Sequence, residues 1–135
     1  MVKVEYELVT PLGKKITLKQ NLTCQNFGIY VATCILCKEQ YVGQTKTTFS
    51  KRWTGHRTVW NHYEQHLNNT RASLLQHFAK HHRQILNKKT PLERCYRVIF
   101  VEQPSSVSLD WCENKWDTMI KATINIQKII TSFIK

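Results

Sequence analysis

GIYVATCILCKEQYVGQT, residues 28–45, is the stretch on which the fold turns. Tyr30 and Tyr41 stand eleven positions apart, each inside a short β-prone run (Ile29-Tyr30-Val31 and Tyr41-Val42). Between them lies Cys34-Ile35-Leu36-Cys37. The pattern predicts two strands joined by a two-cysteine turn, with both phenols side by side on one small sheet.

Moving outward toward the C-terminus, Gly43 ends the second strand, and Thr47 or Thr48 is placed to cap a helix. Phe49, Trp53, Trp60 and Tyr63 recur at near-helical spacing, with His56 filling the missing step. Arg52 and His56, four residues apart, project from one face of that helix. Asn68-Asn69-Thr70 breaks the pattern. A second helix is expected from about Ala72, with Leu74, Leu75 and Phe78 as its apolar side and His77, His81 and His82 along it. Residues 87–91 read as a polar, basic loop. Residues 97–101 form an unbroken apolar-rich run, the mark of a strand buried on both faces. Residues 103–106 turn the chain and offer helix caps. Leu109, Cys112, Trp116, Met119 and Ile120 form the buried side of a third helix that carries Glu113. Ile126, Ile129, Ile130, Phe133 and Ile134 make a final apolar stripe.

Toward the N-terminus, Val2, Val4, Tyr6 and Leu8 alternate with polar residues, as do Ile16 and Leu18 beyond a turn at Pro11-Leu12-Gly13-Lys14. This is the period of a half-buried hairpin. It divides the chain into a hairpin or linker extension, residues 1–22, and a core domain, residues 23–135. The expected class is α+β, a small three-stranded sheet flanked by helices.

A length of 135 residues suits one domain with a modest core. A formal net charge of +11 points to a polyanionic partner. No apolar run reaches membrane-spanning length, and no signal-peptide pattern opens the chain, so no membrane role is expected. Five cysteines are an odd number, which argues against a disulfide framework and for an intracellular chain with a metal-binding pair. Among the nine acidic residues the one ExE pair, Glu5 and Glu7, lies in the N-terminal extension, and residues 23–135 hold no DxD or ExE cluster, which counts against two-metal chemistry and leaves a one-metal mechanism open.

Two constellations follow. Cys34 and Cys37 on one tight turn suit tetrahedral zinc, with His77 and then His81 or His82 as the second pair. On a continuous helix His77 and His81 face alike, whereas His82 joins His77 only where the helix frays. Four protein ligands close such a site, so its zinc is structural. For phosphodiester hydrolysis, a tyrosine serves as base only if nearby positive charge favours its phenolate, and Arg52 is positioned to supply that charge and to hold a phosphate. A divalent ion on Glu113 would polarise a phosphate oxygen. Taken singly, strand tyrosines usually pack, helix arginines are solvated and lone glutamates lie on the surface. Only the ordered combination carries weight.

That ordered combination, Tyr30, Tyr41, Arg52, His56, Glu113 and Asn125, resembles the GIY-YIG nucleases, with YVG in place of YIG. YVGQTKTTFSKRWTGHR is similar to the family's second strand and first helix, and ENKWDTMIKATIN resembles its glutamate helix ending in asparagine, although Ile124 stands where the family has glycine. The likeness covers about residues 24–127. Cys34, Cys37, His77 and His82 are similar to the extra metal-ligand set of Penelope-like retroelements. HFAKHH fits that branch's HFxxxH spacing and favours His82, with His81 as the alternative.

The resemblance implies hydrolysis of one DNA strand at a single Mg²⁺ or Mn²⁺ on Glu113, beside a structural Zn²⁺. Tyr30 would be the general base, Tyr41 would position water or phosphate, Arg52 would stabilise charge, and His56 would hydrogen-bond the Tyr30 phenol or a phosphate. The nick would prime reverse transcription, making the chain an endonuclease module working in the nucleus with the reverse transcriptase portion and RNA of the same element. Two other readings stand beside it: a cellular structure-specific or repair nuclease of the same superfamily, and a non-catalytic zinc-dependent nucleic-acid-binding module.

Overall fold

The computed structural model describes residues 7–10, 13, 15–18, 20, 22–86 and 90–120. The protein is α+β. Strands β3 (Gly28–Cys34), β4 (Gln40–Thr45) and β5 (Tyr96–Glu102) form an antiparallel sheet in the order β4-β3-β5. A two-stranded hairpin, β1 (Glu7–Val9) and β2 (Lys15–Thr17), precedes it. Four α-helices, α1 (Phe49–Asn61), α2 (Tyr63–His66), α3 (Ser73–His81) and α4 (Leu109–Ile120), and two 3-10 turns, Arg83–Ile85 and Leu92–Arg94, complete the described chain. The alternation over Val2, Val4 and Tyr6, most of the predicted turn between the hairpin strands, residues 87–89, Asn125 and the apolar stripe from Ile126 to Ile134 lie outside the described residues.

The period of two sorts β3 onto two cores. Ile29 and Val31, with Val42 and Val101, pack with Cys112, Trp116 and Ile120 of α4. Leu8 and Leu18 join this same cluster, so the N-terminal hairpin shares the core of the main sheet. Gln40 ties it further by donating from Nε2 to the Val9 carbonyl at 2.7 Å. On the other face, Ala32 and Cys34 pack with Trp60 of α1, Leu74, Leu75 and Phe78 of α3, and Tyr96. The Tyr96 hydroxyl donates to the Leu74 carbonyl at 2.7 Å, satisfying a buried polar group.

Local chemistry sets the element ends. Thr48 caps α1, its Oγ1 accepting from the Lys51 N–H at 3.2 Å. For α4 the cap is Ser108, whose Oγ accepts from the Trp111 N–H at 3.1 Å, and not residues 103–106, which carry the chain away from β5. The third strand differs from expectation as well. Among the described residues β5 pairs only with β3 and is an edge, with Arg97 exposed and Val98, Ile99 and Phe100 half-buried. The fully enclosed strand is β3. An irregularity in β3–β5 pairing at Ile29/Tyr30 brings the Glu102 carbonyl against Gly28, whose φ of 132° also requires glycine.

Candidate active site and metal centre

Tyr30 pairs across the ladder with Gly43, and Tyr41 with Ala32, so both phenols share the face turned toward α1, with ring centroids 6.2 Å apart. Gly43 is glycine for a reason. A Cβ there would sit inside the Tyr30 ring, so the ring lies flat over bare backbone. Phe49 meets Tyr30 edge-on and stacks on Phe100 at 4.2 Å, which fixes the start of α1 against the sheet.

That placement brings Arg52 and His56, one helical turn apart, onto the Tyr30 hydroxyl. The oxygen lies 2.7 Å from His56 Nε2 and 3.3 Å from Arg52 Nε. Burial and the nearby Arg52 charge push the His56 imidazole down to about 4, so it is neutral near pH 7. Arg52 Nε–H donates to the Tyr30 oxygen, and in the tautomer with its hydrogen on Nδ1 the imidazole accepts from the phenol at Nε2. Burial drives the Tyr30 phenol far above its ordinary range, reinforced by Tyr41 and only partly opposed by Arg52. Arg52 does supply the expected positive charge, but in the free protein desolvation outweighs it. Tyr41, 6.4 Å from the His56 ring, is also raised by burial, with Arg52 opposing and the Glu113 charge adding.

Glu113 is buried on α4, which packs on β4. Gln44 Nε2 donates to Asp110 Oδ1 at 2.6 Å and reaches Glu113 Oε2 at 3.4 Å. Asp110 and Gln44 were not singled out from the sequence. Asp110-x-x-Glu113 is the i, i+3 helical spacing that puts two carboxylates on one face, and it is invisible to a search for DxD or ExE. Asn125 lies outside the described residues.

The second cluster sits at the hairpin turn. Each of Cys34, Cys37, His77 and His82 offers a ligand atom within 4.8 Å of all the others, a group able to hold a metal ion and compatible with zinc. Among the described residues no other group of three or more metal-ligating side chains forms. Helix α3 ends at His81, and His82 takes a non-helical backbone (φ −138°, ψ 41°), which brings its ring to 5.1 Å from that of His77. His81 stays exposed on the last turn, outside the group.

The donor chemistry fits an ion. The buried His82 Nε2 has no hydrogen-bond partner. His77 Nε2 lies 3.2 Å from Cys37 Sγ, while its Nδ1 is 3.2 Å from Glu39 Oε2. Glu39 thus acts as the outer carboxylate that fixes the tautomer and leaves Nε2 for the metal. Glu39, a further residue missed from sequence, is recognisable only once the hairpin and α3 meet.

No family model, curated protein or solved structure matches the chain. No helix among the described residues is long and apolar enough to cross a membrane.

Proposed function

We propose that the chain is a DNA endonuclease of the GIY-YIG type that nicks one strand by phosphodiester hydrolysis, the module that primes integration of a retroelement in the nucleus. The observation that carries the reading is the convergence of Arg52 and His56 on the Tyr30 hydroxyl beside Tyr41. A packing tyrosine needs one partner at most. This one is buried between a donor cation and a neutral imidazole, an arrangement suited to moving a proton.

In the mechanism, Arg52 holds a non-bridging phosphate oxygen and stabilises charge as it develops. The anionic phosphate, arriving beside His56, raises the basicity of Nε2 above its value in the free protein. Tyr30 Oη takes the proton of the attacking water as its own proton passes to His56 Nε2. Tyr41 orients water or phosphate. Glu113, with Asp110 one turn away, supplies the oxygen donors that Mg²⁺ or Mn²⁺ prefer, and the ion would stabilise the leaving 3′ oxygen. Zinc at Cys34, Cys37, His77 and His82 would pin the hairpin turn to the end of α3.

Conversion of supercoiled plasmid to open circle in Mg²⁺ tests the proposal. Wild-type protein should nick, and Glu113→Gln should bind DNA and not nick. DNA binding with no nicking by the wild type would favour a zinc-dependent binding module instead. A preference for branched over plain duplex DNA would favour a repair nuclease.

A further inference from the structure

Three of the four glycines meet a clear structural demand: Gly28 and Gly43 through crowding, and Gly13 through a φ of 85°. Gly55 meets none. It sits in the interior of α1, its φ is not in the left-handed region, and a Cβ built on it touches nothing within 4 Å. Glycine disfavours a helix interior relative to almost any other residue. Nothing within the described fold explains why α1 leaves its backbone bare at this point.

The bare backbone faces a cleft of about 440 Å³ between α1 and α3. Arg52 and His56 line it on the α1 side, and Asn69 and Arg71 on the side where the chain enters α3. No acidic side chain lines it. Arg71 is exposed, and among the described residues its guanidinium has no ion pair or hydrogen bond. Asn69 Oδ1 accepts from the Arg71 N–H at 3.1 Å, which holds the turn that presents that side chain. Two cations thus stand on a cleft with no counter-charge, beside the one bare position of α1 and over an apolar floor that includes Val59, Leu74 and Leu75. That chemistry matches a sugar–phosphate chain, which needs cations for its phosphates and clearance for its sugars.

We propose that this cleft is a second backbone subsite, in which Arg71 binds a phosphate of the nucleic-acid strand next to the one held by Arg52, and Gly55 lets the strand run against α1. The inference rests on the nuclease reading and names the path of its substrate.

Anisotropy of a labelled synthetic DNA duplex, with Ca²⁺ replacing Mg²⁺, tests it, alongside thermal melting. Arg71→Ala should weaken binding about tenfold and lower the slope of log affinity against log salt by about one. Gly55→Leu should weaken binding at least as much while raising the melting temperature, because leucine is the better helix former. A glycine with an internal structural role would show the opposite shift in melting. Thr54→Leu presents the same leucine side chain on the neighbouring face of α1, toward Trp53 and Arg57, and should leave affinity unchanged. Wild-type binding and nicking with unaltered affinity in Arg71→Ala and Gly55→Leu would overturn the subsite and leave the nuclease reading standing. Equal loss from Thr54→Leu would also overturn it. Wild-type protein that neither binds nor nicks DNA would remove both.

Discussion

The β3–β4 hairpin carries one cluster at its turn and another at mid-strand, both on the face turned to α1 and α3. At the turn, four soft and borderline donors converge within 4.8 Å, and the buried His82 Nε2 has no partner. At mid-strand, the Tyr30 oxygen is hydrogen-bonded to both His56 Nε2 and Arg52 Nε, so the groups satisfy one another. A cluster with an unsatisfied buried nitrogen is one an ion can complete, and an ion bound there would add to the stability of the fold. A cluster that satisfies itself needs no ion to stand, and its strained feature is electrostatic: a phenol and an imidazole both held neutral by burial. On the proposed function, one hairpin separates holding the structure from handling a proton.

The contrast breaks most visibly at the turn. Cys34→Ser should release the metal and destabilise the protein by about 4 kcal/mol when free zinc stands a thousandfold above its Kd, since ligand binding to the folded state alone adds that much. Metal analysis and thermal melting with and without chelator measure it. Unchanged melting after complete zinc removal would erase the distinction between the clusters.

A smaller effect sharpens the mid-strand half. Gly43→Ala forces a methyl group into the Tyr30 ring, and overpacking of this kind costs roughly 1–3 kcal/mol. In a Tyr30→Ala background the same change should cost almost nothing. The double-mutant cycle in urea isolates the coupling. Additive losses would mean that Gly43 serves the strand and not the tyrosine.

The smallest effect is in pH. The unfolded chain protonates His56 near its ordinary value of 6.5, and the folded chain only near 4. Between those values the unfolded state binds the additional proton, so stability is fully present above about 6.5 and falls as pH drops toward 4. His56→Gln should flatten that part of the stability-against-pH curve. An equal slope in wild type and variant would place the acid sensitivity elsewhere.

Particular residues show what the sequence could and could not carry. The two tyrosine strands were legible from their β-prone runs, but that both rings share one face depends on the register the turn sets, Tyr30 opposite Gly43 and Tyr41 opposite Ala32. The choice between His81 and His82 was not legible from helical periodicity, because it depends on where α3 stops, and α3 stops between them. The run at β5 looked doubly buried because apolar content reports covered faces and says nothing about missing edge neighbours. Asp110 escaped because it lies one helical turn from Glu113 and touches it through Gln44 of a different element. The protonation of Tyr30 escaped for a deeper reason. The sequence shows the opposing charge of Arg52, whereas the burial that outweighs it arises only when Phe49 and Gly43 close around the ring.

The central claim is that the mid-strand cluster moves a proton during hydrolysis of DNA, and Tyr30→Phe tests it most directly. The ring, its packing on Gly43 and the turn cluster all survive that change, and only the oxygen between Arg52 and His56 is lost. Initial rates of plasmid nicking, measured across pH for the two proteins at matched zinc content, give the answer. The account predicts a rate lower by about 10²–10⁴, the usual contribution of a positioned acid–base group, with DNA affinity and melting temperature near wild type. A Tyr30→Phe protein that nicks at the wild-type rate with the wild-type pH profile would contradict it.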